Sequence, residues 1–167
     1  PYIDIYIVDP KNEYGHLIQT LNGETVEAGE KLSQHSAAAI QVPERGQQSN
    51  IDLLVETVEE LYRVTSQNDR RSLVVIDEAH NLMRRQEGRE ALSQFIREAR
   101  DTDTAITLIS QNAADFTEHQ EGRAILDNTA AKIFTQHERV PDSVIHYFQL
   151  SQREKQELFE LNTGTDS

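Results

Sequence analysis

Residues Ser72–Leu82 read S-L-V-V-I-D-E-A-H-N-L, a short apolar run that stops abruptly at two adjacent carboxylates. Leu73, Val74, Val75 and Ile76 have the unbroken hydrophobicity of a strand buried on both faces, which is the signature of a parallel sheet in an α/β domain. Asp77 and Glu78 then fall at the C-terminal end of that strand, where open α/β sheets place their ligands. An aspartate there suits a hydrated Mg²⁺, and a following glutamate suits polarisation of a water. The bland reading is an acidic turn that closes a core strand.

Strand candidates on both sides of this run repeat the pattern. Ile3–Val8 comes first and is halted at Asp9-Pro10, since proline cannot continue a ladder. The stretch from Asn12 to Gly46 is broken by Gly15, Gly23, Gly29, Pro43 and Gly46 and reads as irregular over 17–48, with Ala38–Val42 as an extra strand. Asn50 is the expected N-cap of a helix whose buried face carries Leu54, Val55, Val58, Leu61 and Tyr62. A second helix is expected over Glu87–Arg100, with Leu92, Phe95, Ile96 and Ala99 buried. Ala105–Ser110 reads as a strand with Gln111 at its end. Arg123–Asp127 reads as a short helix that leads into a strand at Ala131–Thr135. The last helix opens on a capping box, Ser151-x-x-Glu154, and is expected to bury Leu158 and Leu161. No internal repeat is evident. Strand–helix alternation predicts an α/β fold with a mostly parallel, right-handed sheet flanked by helices.

At 167 residues the chain fits one domain, within the prior of roughly 100–200. It has no cysteine, no apolar run as long as a membrane span and no visible signal peptide. Its six histidines lack tight ligand spacing, so no structural metal is expected. The formal charge is −13, and only 4 of the 16 basic residues are lysine. Acid-rich, lysine-poor chains look like those of salt-accumulating halophiles; an ordinary acidic cytoplasmic protein is the alternative. Either way the net field repels phosphate backbones, so contact with nucleic acid would need local arginine clusters or other parts of an assembly. The chain opens directly on a core-type strand and ends in a Gly/Thr-rich turn, and it is expected to be an excised piece of a longer protein.

The blocks V-D-P-K-N-E-Y (Val8–Tyr14), L-V-V-I-D-E-A-H-N-L (Leu73–Leu82), F-I-R-E-A-R (Phe95–Arg100) and T-L-I-S-Q-N-A-A-D-F (Thr107–Phe116) together resemble the motor ATPases of the FtsK–HerA superfamily. The resemblance is closest to the conjugative-transfer (type IV secretion) ATPases of the VirB-four/TraC kind. It implies a RecA-like P-loop fold, in which Asp77-Glu78 is the Walker B pair. Asp77 would hold Mg²⁺ through water and Glu78 would be the catalytic base. Gln111 would sense the γ-phosphate of ATP. Asp9 and Glu13, with Tyr14, would flank the phosphate region. Arg100 is the candidate arginine finger, offered to a neighbouring subunit, with Arg97 as its rival. These residues, Arg100 included, are expected along one edge of the sheet. His80 is expected to be structural or a contact to a neighbouring loop.

The same resemblance implies a homo-oligomeric ring of probable hexameric order, docked on secretion-channel proteins at the inner face of a membrane, with DNA or protein as cargo. One departure outweighs the matches: the sequence contains no G-x-x-x-x-G-K-[ST], the loop whose amides and lysine cradle phosphates. In the family that loop precedes the D-P-x-x-E-Y strand. The chain is therefore expected to be an incomplete RecA-like domain, 1–16 its first strand and turn, 17–48 an insertion and 49–167 the Walker B half, nearly inactive alone. Other readings stay open. D-E-A-H is also motif II of DEAH-type helicases, but their S-A-T and arginine-rich blocks are absent. A HerA- or FtsK-type DNA translocase, or a non-catalytic interaction domain, is the remaining alternative.

Overall fold

The computed structural model describes residues 3–43, 47–135 and 140–161, with side chains of the second segment described from residue 50 onward. The chain divides into two compact units, Pro1–Gln111 and Asn112–Ser167. The first holds a sheet of five parallel strands in the order β2-β3-β1-β4-β5, flanked by helices. The strands are β1 (Ile3–Asp9), β2 (Glu24–Glu27), β3 (Ala37–Gln41), β4 (Arg71–Ile76) and β5 (Thr104–Leu108). The helices are α1 (Gly15–Thr20), α2 (Gln47–Ser66), α3 (His80–Met83) and α4 (Gln86–Glu98). The expected α/β architecture is thus observed.

Alternation along the strands sets the two faces of the sheet. Ile7, Ala37 and Ala39 cluster with Ile18 of α1, and Ile5, Tyr14 and Val75 pack against them. On the other face Tyr6, Val8, Ala38, Ile40, Val74 and Ile76 are at most 1% exposed. Helices α2 and α4 pack on each other, burying Leu54, Val58, Leu61, Leu92 and Phe95. The Tyr62 and Phe95 rings meet edge-on at 5.9 Å, and the Tyr62 hydroxyl donates to Glu98.

Several expectations change. Over its described residues 17–43, the stretch read as irregular holds most of α1, the strand β2, a 3-10 turn at Leu32–Gln34 and β3. Helix α2 begins at Gln47, so Asn50 lies inside it instead of capping it. Ile96 is only partly buried.

The second unit contains α5 (Ala114–Glu118), α6 (Gln120–Asn128), α7 (Asp142–Phe148) and α8 (Gln152–Glu160), and no strand among its described residues. Ala131–Thr135 is irregular, with Ile133 89% exposed and the Phe134 ring 5.0 Å from that of Phe148. A-K-I-F-T alternates as a strand would, yet it joins no strand ladder among the described residues. The Ser151–Glu154 capping box forms as expected, but α8 buries no residue and Leu161 is exposed.

One repeat emerges from the structure. Gln86-Glu87-Gly88-Arg89 and Gln120-Glu121-Gly122-Arg123 each open a helix behind a residue in extended conformation, Arg85 or His119. In both, the arginine donates to a carbonyl six residues earlier: Arg89 to Met83 O at 2.9 Å and Arg123 to Thr117 O at 2.7 Å. In both, the glycine sits against backbone. A Cβ at Gly88 would lie 2.3 Å from Leu82 O, and one at Gly122 would lie 2.4 Å from Phe116 O. A glycine inside an exposed helix normally gains up to about 1 kcal/mol on replacement by alanine. Here the sign should reverse. Gly88→Ala and Gly122→Ala should each destabilise the chain by about 1–3 kcal/mol, as overpacking does, read as a lowered urea midpoint at unchanged slope. A raised midpoint would refute the shared corner.

Candidate active site

Parallel pairing of β1 with β4 places Val8 beside Ile76, so the segments that follow both strands emerge side by side. The Asp77 amide donates to Val8 O at 3.1 Å and the Ala79 amide donates to Ile109 O at 2.9 Å. Glu78 turns the chain between these two anchors in the left-handed region, at φ +50°. For a residue with a Cβ that conformation costs on the order of 1–2 kcal/mol. It is supported by the ladders on either side and by the Glu78 amide, which donates to Asp77 Oδ1 at 2.8 Å.

The Glu78 side chain is 6% exposed and contacts three partners. Gln111, just past β5, donates through Nε2 to Oε1, and the Lys11 ammonium pairs with the same oxygen. His80 Nδ1 lies 3.0 Å from Oε2 but is not aligned as a hydrogen bond, so Oε2 has no aligned donor. Pro10, Lys11, Glu78, His80, Asn81 and Gln111 line a shallow cleft of about 360 Å³. The bond to Glu78 raises the Lys11 pKa above the ordinary lysine value, with further support from the charges of Glu78, Glu13 and Asp77 outweighing its desolvation.

Asp9 and Asp77 are both buried, at 0% and 7% exposure, and both face the loop after β1. Asp9 accepts from the Glu13 amide through Oδ1 and from the Tyr14 amide through Oδ2, each at 2.9 Å. It is the carboxylate that folds the D-P-K-N-E-Y turn, with Asn12 at φ +59°. The Tyr14 phenol lies in the electrostatic field of Asp77. Burial pushes the Tyr14 phenol above its ordinary value, and the charges of Asp77, Glu13 and Asp9 add to the effect. Glu13 is exposed.

The structure therefore brings Glu78 and Gln111 into contact, with Asp77, Asp9 and Glu13 close behind. It does not bring Arg100 to them. Arg100 follows α4 and precedes β5, which puts it at the N-terminal edge of the sheet. The five residues of β5 separate that edge from Gln111 by roughly 16 Å at strand rise. Arg97 and Arg100 are both exposed there, and neither serves Glu78 of the same chain. Lys11 was missed by sequence reasoning. Its one available signal was position, a lysine directly after the proline that ends a core strand.

Two adjacent carboxylates thus close one strand of a parallel sheet, and the polar Gln111 follows the neighbouring strand and meets the second of them. A family model for the AAA-like domain matches residues 44–165, and the chain belongs to that family of P-loop ATPases. The matched region includes β4, β5, Asp77, Glu78 and Gln111 but not β1 or Lys11. No curated protein matches the chain.

The superfamily uses nucleotide and Mg²⁺, and the residues fit the two ligands unequally. Carboxylate oxygens are the hard donors that Mg²⁺ takes. Among the described residues no group of three or more His, Cys, Asp or Glu is placed to hold a metal alone. Asp77, through water, with Glu78 beside it, would be the donors for an ion that completes its shell with water and phosphate oxygens. When bound, such an ion neutralises phosphate charge. The sequence supplies no glycine-rich cradle for the phosphates themselves. What the chain's own residues do is position a carboxylate, orient it with an amide and keep it largely out of solvent.

Because the Tyr14 phenol is raised in the folded chain, its contribution to stability is present below the unfolded phenol value near 10 and is lost as pH rises through the higher folded value. Tyr14→Phe should flatten the alkaline arm of the stability–pH curve above about pH 10, measured by urea titration. An unchanged arm would show that burial and the neighbouring carboxylates do not raise the phenol.

Proposed function

We propose that this chain is the Walker B half of an ATPase motor domain that drives conjugative, type IV secretion transfer. Glu78 activates water, Asp77 holds Mg²⁺ through water and Gln111 reads the γ-phosphate. The observation that carries the reading is the contact between Gln111 of one strand end and Glu78 of the next. It links a would-be phosphate sensor to the would-be base through one hydrogen bond. The phosphate-cradling loop is supplied by polypeptide outside these 167 residues.

The working unit is a homo-oligomeric ring, taken as hexameric, with ATP at the subunit interfaces. Arg100 acts in trans on the neighbouring subunit's nucleotide, a role that its exposure at the far edge of the sheet permits. An arginine of this kind raises turnover by on the order of 10³ or more. Among the described residues no helix is long and apolar enough to cross a membrane. Attachment to the inner face of a membrane goes through secretion-channel proteins. With a net charge of −13, this region does not hold a nucleic-acid cargo by bulk electrostatics. Acidic composition also fits a salt-rich cytoplasm.

Colorimetric phosphate release decides the enzymatic part. The 167-residue chain should turn over ATP at background. A polypeptide that joins it to a phosphate-cradling segment should be active. In that polypeptide Glu78→Gln should lower kcat by about 100-fold or more, the usual contribution of a general base, while equilibrium binding of a fluorescent ATP analogue persists. Turnover by the chain alone would sink the division of labour, and full activity of the glutamine variant would sink the role of Glu78.

A further inference from the structure

Oε1 of Glu78 is shared by the Lys11 ammonium and the Gln111 amide, while Oε2 accepts no hydrogen bond and lies buried 3.0 Å from His80 Nδ1. A general base needs a lone pair aimed at its water, and these contacts occupy the oxygen that faces Lys11 and Gln111. The partners differ in how easily they leave. Gln111 and His80 are on segments tied to the sheet: Ile109 donates to Ile76 O, Ala79 to Ile109 O, and the helix bearing His80 follows directly. Lys11 sits on the turn after Pro10, 48% exposed, at the end of a flexible stem.

A lysine ammonium is a compact point charge on a flexible stem, able to exchange a carboxylate partner for a phosphate. Three carboxylates set its field, Glu78, Glu13 and Asp77, and an entering polyphosphate brings comparable charge to the mouth of the same cleft. A half-exposed ion pair is weak enough to lose that competition.

We propose that Lys11 is a positioning residue for Glu78: it clamps the carboxylate against Gln111, and a polyphosphate entering the cleft draws the ammonium away and leaves Oε1 open to water. The inference rests on the reading of Glu78 as the water-activating carboxylate, and it adds a gate to that role. Lys11 lies outside the family match, on β1's turn, so the gate comes from a segment the family model does not include.

The test uses no turnover, so its failure is separate from failure of the enzymatic reading. The isotope-labelled chain is titrated with inorganic pyrophosphate, without metal, while NMR follows the Lys11 Cε signal and the Gln111 side-chain amide. Gln111 is assigned by its loss in Gln111→Glu. Both signals should move together with one midpoint. In Lys11→Met the Gln111 amide should already be displaced and should not respond to pyrophosphate; Lys11→Arg, which keeps a cationic donor, should restore the response. Backbone amide signals away from the cleft report whether each variant is folded. If Lys11→Met scatters those signals, the common midpoint in the unsubstituted chain still decides. A Gln111 amide at its original position in Lys11→Met overturns the clamp. Equal movement of Gln111 in Lys11→Met, or no movement of Lys11 with pyrophosphate, overturns the exchange. If the clamp holds while Glu78→Gln leaves hydrolysis intact, the cleft is an anion-responsive site without the catalytic role.

Discussion

The left-handed turn at Glu78 is the constraint on which the rest of the site depends. A residue with a Cβ avoids that region unless its neighbours leave it no alternative. Here Asp77 is tied to β1 by its amide and Ala79 is tied to the extension of β5, so the intervening residue must reverse the chain within one step. The consequence is directional. Asp77 turns toward Tyr14 and the loop after β1, whereas Glu78 turns toward Gln111 and the cleft. Two adjacent carboxylates thereby acquire different surroundings without any difference in chemistry, which is what separate roles in metal binding and water activation require.

Holding two buried carboxylates this close would be costly if nothing offset their charge. The offset is local. Asp9 takes two backbone amides, Asp77 takes the Glu78 amide, and Glu78 takes Gln111 and Lys11. In a chain of net charge −13 these are mostly neutral dipoles, with one ammonium among them. Dipoles fixed by the sheet do not leave, so the single mobile charge is the natural point of control. Its strength is limited by solvent, because the ammonium is half open to water.

What the sequence disclosed follows the distinction between local and tertiary signals. β1, β3 and β4 were legible because a strand inside the sheet is apolar over most of its length; β5 was legible from its short apolar run, although as an edge strand it buries only Thr104. Asp77, Glu78 and Gln111 were legible because they follow such strands. β2 was not: Glu24–Glu27 offers one buried apolar residue, Val26, and exists through pairing with β3. Its approach is set by Gly23, where a Cβ would lie 2.6 Å from Ala37 O. The reverse error arose at Ala131–Thr135, where alternation without a partner strand gives no strand. The Q-E-G-R corners escaped notice because four shared residues are too few to read as a repeat until both arginines are seen donating six residues back.

Arg100 and Lys11 show how far register decides what a motif can do. Arg100 was grouped with the carboxylates because it stands shortly before the strand that carries Gln111, yet in a parallel sheet the beginning and end of a strand lie on opposite edges. Proximity in sequence therefore placed it on the wrong side for a partner in its own chain. Lys11 is 67 residues from Glu78, and it arrives because Val8 and Ile76 are register partners at the ends of adjacent parallel strands. Any side chain two to three positions beyond β1 is carried to the segment two positions beyond β4. The pairing that builds the sheet also selects which cation meets the buried glutamate. A one-residue slip of β1 against β4 would turn Asp9 and the loop it folds away from Asp77, because alternate residues face opposite sides. Fold and control of the site thus rest on the same ladder.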